Sequence, residues 1–247
     1  MELKAHDHPA YLALKKLAQE SQLLSQQLTD RLQFGLALRD PQEAAVLILF
    51  GPLKEQGPAQ EKLQQGADTD LDLLIVVRAR TLRQHAGQPA FPGGKIDGED
   101  YRTAAKTGQP VAYVAALREA VEETGLDPSG VEILGSLKRL PLLASNFMVT
   151  PVLAWWSKNS AVAVQDQQES SQVLRVPVAE LLDPAHRHLV EITRKNRNRN
   201  SVAFTLGPPE KPVVIWGFTA TILDLLFQHL GWEKPWNKQD IRKLPDW

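Results

Sequence analysis

The sequence contains no cysteine in 247 residues, which excludes disulfides, thiolate catalysis and thiolate metal sites and leaves carboxylate or imidazole as metal ligands. It also lacks an excess of charge of either sign: 28 Lys and Arg stand against 29 Asp and Glu, so no global field draws the chain to nucleic acid or to an anionic membrane. An anionic ligand has to be captured locally. No apolar run approaches the ~20 residues that a membrane span needs, and Met1 to Ala10 has none either. These absences predict a soluble, cytoplasmic protein with neither a membrane nor a nucleic-acid partner. With 43% hydrophobic residues the chain can bury a full core, and its length suits one main domain with an extension.

From Pro9 to about Arg39 the leucines at 14, 17, 24, 28 and 32 recur at spacings of three, four and seven, which predicts a helix that Asp40-Pro41 ends. Short apolar runs predict strands at Ala44 to Phe50, Leu71 to Val77, Val131 to Leu137, Val149 to Trp156, Val202 to Leu206 and Val213 to Trp216. Val111 to Thr124 and Thr219 to Leu230 read as helices, each followed by a glycine where a C-terminal cap belongs. Strands thus interleave with a few helices without regular alternation. The expected class is α/β, a mixed β-sheet flanked by helices.

The most informative segment is Arg118-Glu119-Ala120-Val121-Glu122-Glu123-Thr124-Gly125-Leu126. At about 100° per residue the three glutamates share one arc of the helix, while Val114, Leu117 and Val121 cluster opposite them, so one face is expected to pack and the other to present carboxylates. Like charges at this spacing repel by a few tenths of a kcal/mol per pair, a cost that a bound cation would remove. Three oxygen ligands suit Mg²⁺ or Mn²⁺. An ordinary solvated glutamate face is the competing reading of the triplet alone.

Upstream lies Phe91-Pro92-Gly93-Gly94, and here the sequence resembles the Nudix box: Gly, five residues, Glu, seven residues, Arg-Glu, an aliphatic, any residue, Glu-Glu, any residue, Gly, aliphatic. Gly94 matches the opening glycine, and Arg118 to Leu126 the second half, with Ala120 in the aliphatic slot. Two departures lie between them: Asp100 stands where the box has Glu, and seventeen residues instead of seven separate it from Arg118. The excess is expected to form a loop, Ala104 to Gln109, before the helix. The stretch before the box, Arg78-Ala79 followed by Arg83, Gly87 and Phe91 after three residues each, resembles the signature of the coenzyme A pyrophosphatase branch, with Val76 replacing its usual Thr. Ser145-Asn146-Phe147 and Ile215-Trp216-Gly217-Phe218 extend the resemblance over most of residues 41 to 230.

The resemblance implies a Nudix-type α/β/α sandwich with an N-terminal helical extension at 1–40, a hydrolase domain at 41–230 and a C-terminal tail at 231–247. It implies a pyrophosphohydrolase that splits coenzyme A or its derivatives into 4′-phosphopantetheine and adenosine 3′,5′-bisphosphate. Glu119, Glu122 and Glu123 would hold Mg²⁺ or Mn²⁺, and Arg118 would orient the glutamates. Glu169, eight residues before Pro177, stands where the branch carries a distal acid that ligates metal or acts as base; an exposed loop glutamate is the alternative. Arg78, Arg83, Gly93, Gly94 and Lys95 would meet the substrate, unless the two arginines form structural ion pairs. Arg83, Lys138 and Arg139, with the tract from Arg194 to Arg199 behind them, are the candidates for a 3′-phosphate. That tract otherwise reads as a solvated hairpin tip, and the pairs His6/His8 and His186/His188 as surface histidines without a third metal ligand. Rival readings are a Nudix hydrolase of ADP-ribose, NADH or an oxidised nucleotide, and a catalytically silent nucleotide- or RNA-binding Nudix domain. A homodimer is compatible with the sequence, which does not fix the oligomeric state.

Overall fold

The computed structural model describes residues 5–32, 38–53, 70–81, 86–194 and 197–244, with the side chains of 193–198 outside that description. The leucine-rich N-terminus forms two helices rather than one, α1 (Pro9–Gln19) and α2 (Gln22–Leu32), with a turn at Glu20-Ser21. The reason is packing. α1 lies on one part of the sheet, whereas α2 lies against a C-terminal helix, and a straight helix could not cover both. Leu14, Leu17, Leu24, Leu28 and Leu32 nevertheless enter one core cluster, which explains why their spacing runs unbroken through the turn.

The larger sheet follows the order β3 (Pro89–Ala90), β2 (Leu71–Arg78), β1 (Gln42–Pro52), β7 (Phe147–Trp156), β5 (Val131–Ser136). β4 (Gly93–Lys95) pairs with β1, β6 (Leu140–Leu142) with β7, and β8 (Ser170–Pro177) with β2. β1 and β7 run parallel while β2 and β4 run antiparallel to β1, so the sheet is mixed, as expected. A smaller sheet follows the order β11 (Val213–Ile215), β10 (Arg197–Leu206), β9 (Arg187–Arg194), β12 (Ile241–Arg242). The helices after the second are α3 (Gly98–Thr107), α4 (Val111–Thr124), α5 (Val178–Leu182) and α6 (Gly217–His229). None among the described residues is long and apolar enough to cross a membrane.

Alternation along β1 divides the interior in two. Ala45, Leu47 and Leu49 join the cluster under α4, and Ile48 and Phe50 join the cluster with α1, α2 and α6. The larger sheet is therefore covered on both faces, an α/β architecture. Trp155 is fully buried and meets the rings of His8 and Tyr11, which hold α1 down.

Two local expectations are corrected. The stretch from Ala104 is not a loop: α3 runs to Thr107 and stops at Gly108, whose φ of 72° is the left-handed cap that glycine favours. Asp97 and Asp100 start it with a reciprocal capping box. The packed stripe of α4 is also not centred on Val114, Leu117 and Val121, which are only half-buried, although Leu117 does pack against the core cluster. The stripe is Ala112, Ala115, Ala116, Ala120 and Glu123. Small side chains let the helix approach the sheet closely, so the rotation that buries the alanines carries a glutamate inward as well.

Leu28 on α2 is fully buried in the core cluster shared with α6 and the larger sheet. Leu28→Ala is therefore expected to cost about 2–5 kcal/mol in urea unfolding, as a buried leucine does. A change near zero would mean that the N-terminal helices are a detachable extension.

Candidate active site

The site forms where the β4 edge meets the C-terminal half of α4, and α3 closes it from the side. Arg118 is its hub. Its Nε and Nη2 donate to the two oxygens of Asp100 at 2.8 and 2.9 Å, a bidentate pair, and Nη2 reaches the Lys95 carbonyl at 3.2 Å. Nη1 donates to Glu122 Oε2 at 2.7 Å, and Nη2 lies 3.0 Å from Glu119 Oε1. Asp100 is 1% exposed, and its Oδ2 also accepts the Asp97 amide at 2.9 Å. The Asp that replaces the box glutamate thus meets Arg118 across the longer insertion, because α3 and α4 pack against each other as a helical hairpin.

The two glycines are fixed by the same helix. The Gly93 amide donates to Glu123 Oε2 at 3.0 Å, and a Cβ on Gly93, at φ 155°, would lie 2.3 Å from the Ala45 carbonyl oxygen. A Cβ on Gly94 would lie 2.5 Å from the Glu119 carboxylate. Neither position has room for a side chain without displacing an acid or the neighbouring strand.

Burial distinguishes the three glutamates. Glu122 is exposed, whereas Glu119 is half-buried and Glu123 is 7% exposed. Burial raises the Glu119 carboxyl above its ordinary value, against the pull of Arg118. Burial likewise pushes Glu123 up to about 7; the Gly93 amide and Arg78 oppose this, and the charges of Glu119 and Glu169 add to it. Two acids that ionise reluctantly, with a third beside them, suit a hard divalent cation whose charge would offset that cost. One oxygen of each glutamate is engaged by Arg118 or Gly93. Among the described residues no three His, Asp or Glu side chains already surround a common point.

The remaining predicted residues fall around this cluster unevenly. Arg78 ends β2 with Nε buried and without a hydrogen-bond partner, and its charge acts on Glu123. Lys95 is exposed beside the glutamates. Glu169 is also exposed; its carbonyl accepts the Ala79 amide at 2.8 Å, and its charge reaches Glu123. Arg83 lies outside the described residues. Arg139 pairs with Glu43 at 2.6 Å, and the Lys138 amide donates to Ser25 Oγ. The histidines have structural partners: His8 caps α1, His6 pairs with Glu132, and His186 meets the Glu180 carbonyl. His188, expected at the surface, is buried because it sits within β9 of the smaller sheet.

A cavity of about 880 Å³ opens beside the cluster, between the larger sheet, β10 and α6. Gly93, Gly94, Lys95 and Arg78 line it at the glutamate end, and Phe91, Phe147, Trp216 and Phe218 supply apolar wall. Lys138 and Arg139 are not part of its wall, but Arg199 of the basic tract is. Sequence reading passed over Arg31, Asp224 and Lys238, which also line it, because no local motif marks residues so far apart in the chain.

A model of the NUDIX domain matches residues 64–195. The uncharacterized Nudix hydrolase NudL of Salmonella dublin is 33% identical over 220 residues, 89% of this chain and 96% of that protein. The protein of the same name from Cronobacter sakazakii is 35% identical over 164 residues, 66% of this chain and 77% of its own length. Among solved structures, the Nudix hydrolase of Alicyclobacillus acidocaldarius aligns with a TM-score of 0.43 at 20% identity, over 59% of this chain and 83% of that one.

The raised Glu123 carboxyl makes a pH-dependent prediction. Its folded value of about 7 lies above the ordinary 4.5, so the folded state keeps a proton that the unfolded chain releases. The stability this group contributes is complete below pH 4.5 and is lost as pH rises to about 7. The loss is at most about 3 kcal/mol. Without added metal, Glu123→Gln should melt above the wild type at pH 8, with the gap narrowing at pH 5. Equal melting temperatures at pH 8 would contradict the burial of this charge.

Proposed function

This chain belongs to the Nudix hydrolase family, and on that premise we propose that it cleaves the diphosphate of coenzyme A or a derivative, giving 4′-phosphopantetheine and adenosine 3′,5′-bisphosphate. The family's enzymes are pyrophosphatases acting on phosphoric anhydrides of nucleoside diphosphate derivatives. The observation that carries the reading is the shared strand Gly93–Lys95, which contacts Glu119 and Glu123 and also lines the cavity together with Arg78. A diphosphate laid along this strand has cationic donors within the cavity and carboxylates next to it.

In this reading Glu119, Glu122 and Glu123 hold Mg²⁺ or Mn²⁺. Such a cation supplies neutralisation of diphosphate charge and acidifies water. Arg118 is a positioning residue: its bond to buried Asp100 fixes the guanidinium, which in turn orients Glu119 and Glu122. Arg78 and Lys95 pair with phosphate oxygens, and Arg83 is assigned to the same task by its place in the branch signature. The absence of side chains on Gly93 and Gly94 lets this strand lie directly against β1 and the Glu119 carboxylate, which keeps the acids next to the cavity. Glu169 takes the proton of the attacking water, since it is the exposed acid whose charge reaches Glu123. The apolar wall of Phe147, Trp216 and Phe218 suits the uncharged arms of such a ligand. The hydrolase domain is taken as 41–230; residues before and after it contribute Arg31 and Lys238 to the cavity wall.

Glu122→Gln removes an exposed anion and should leave the fold intact while lowering turnover by at least about a hundredfold. Near-normal turnover at low metal would reject the cation assignment. A panel of coenzyme A, acyl-coenzyme A, NADH, ADP-ribose and nucleoside triphosphates, with products identified by mass, tests the substrate. The highest kcat/KM is expected for coenzyme A or an acyl derivative. Preference for ADP-ribose, NADH or an oxidised nucleotide would replace that substrate and keep the chemistry, and no turnover of any diphosphate would leave a binding domain.

A further inference from the structure

Of the six ionisable side chains that line the cavity among the described residues, five are cationic: Arg31, Arg78, Lys95, Arg199 and Lys238. The sixth is Asp224. Across the whole chain the formal net charge is −1, so this excess of positive charge is local to the cavity. Arg78 and Lys95 stand at the glutamate end. Arg31 and Lys238 belong to α2 and the C-terminal segment, outside the residues 64–195 that match the NUDIX domain.

Those two cations are joined by an unbroken series of contacts. Arg31 Nη1 donates to Asp224 Oδ2 at 2.5 Å, and Gln228 Nε2 donates to the same oxygen at 2.8 Å. Arg187 holds the other oxygen of Asp224, pairs with Glu233 at 2.9 Å, and stacks on Trp236 with its guanidinium 4.8 Å from the ring centre. Lys238 Nζ lies 5.8 Å from the centre of the same ring. Arg187 and Asp224 are 2% and 4% exposed and pair with each other, so they cannot serve a ligand directly. The Arg31 side chain is 42% exposed and lines the cavity, as does exposed Lys238. A tie between α2 and α6 alone would not require Lys238, which has no carboxylate partner in this cluster and adds a cation to the same wall.

We infer that this wall is a second anion-recognition site, in which Arg31 and Lys238 read a phosphomonoester carried by the ligand away from its diphosphate. Asp224 and Arg187 are positioning residues that hold the Arg31 guanidinium and the Trp236 ring in place. The inference rests on the reading that the cavity is the substrate site, with the reacting diphosphate at the glutamate end. A ligand with two separated anionic centres then spans it, and a fixed arginine gives a phosphate charge-assisted hydrogen bonds that a hydroxyl cannot replace.

The test is calorimetric titration of the full chain with adenosine 3′,5′-bisphosphate and with AMP, two probes that differ by one phosphomonoester. The wild type should bind the bisphosphate at least roughly tenfold more tightly, the lower end for a charge-assisted contact that water can screen. That ratio should fall towards one in Arg31→Gln and in Lys238→Gln, and Arg31→Lys should keep part of it. Lys238 is exposed, so its variant keeps the test independent of folding. Asp224→Asn should lower the ratio as well, whereas a merely structural role would lower the melting temperature and leave the ratio unchanged. No wild-type preference, no binding of either probe, or a preference intact in Arg31→Gln and Lys238→Gln would overturn the inference. Because no turnover is involved, failure of coenzyme A as a substrate with the ratio intact would overturn only the preceding reading.

Discussion

The arrangement depends on where one guanidinium is held. Arg118 is clamped by the two oxygens of Asp100, itself almost wholly buried, and this clamp leaves the rest of the guanidinium to reach Glu119, Glu122 and the Lys95 carbonyl. A buried carboxylate without a partner would cost several kcal/mol, so Asp100 and Arg118 secure each other. α3, α4 and the β4 edge meet at this pair. Without it, Glu119 and Glu122 would repel each other and Glu123 with no cation fixing their directions, and only the Gly93 amide would still hold Glu123.

The same end of α4 shows how local chemistry and packing can pull apart. Hydrophobicity points to Val114, Leu117 and Val121 as the packed side, but of these only Leu117 packs against the core, and the fully buried stripe is mostly alanine. Close approach outweighs side-chain size here, and its by-product is a buried acid: Glu123 follows Ala112, Ala115, Ala116 and Ala120 on that stripe. A carboxyl raised to about 7 opposes folding at neutral pH unless something offsets it. In the proposed reading the offset is the divalent cation, which places the cost of folding and the capacity for catalysis on the same atoms.

Much of this was legible in the sequence, for identifiable reasons. The strands at Leu71 and Val149 are long apolar runs, and Gly125, at φ 68°, ends α4 as its position predicts. The glutamate helix is visible because a spaced motif carries it. α3 was hidden by its exposed, small-residue composition, although Asp97 and Asp100 three apart are a start signal that could have found it. The break between α1 and α2 was hidden for the opposite reason, since leucines on both helices serve one core and keep an unbroken period. β8 escaped because it opens on three polar residues, Ser170 to Gln172, and carries Arg175, with only Ser170 and Val176 fully buried. Arg31 and Lys238 carry no local signal at all, because only the tertiary fold brings α2, α6 and the C-terminal segment to one wall.

A nearly neutral chain can attract a polyanion only through local charge. A carboxylate cluster repels the ligand that it is proposed to help cleave, and in the proposed reading a cation at the cluster would offset part of that repulsion. The remaining attraction must come from basic residues kept near the acids without neutralising them. Gly93 and Gly94 supply such a separation: they are the thinnest wall the backbone can build, touching Glu119 and Glu123 and facing the cavity that holds Arg78 and Lys95. Among the basic residues described, Arg118, clamped by Asp100, is the one that bonds directly to Glu119 and Glu122. In the proposed reading, segregating the two signs of charge across a glycine strand lets attraction and chemistry coexist. It also explains why the glycines stand where any side chain would have to displace a carboxylate or the adjoining strand.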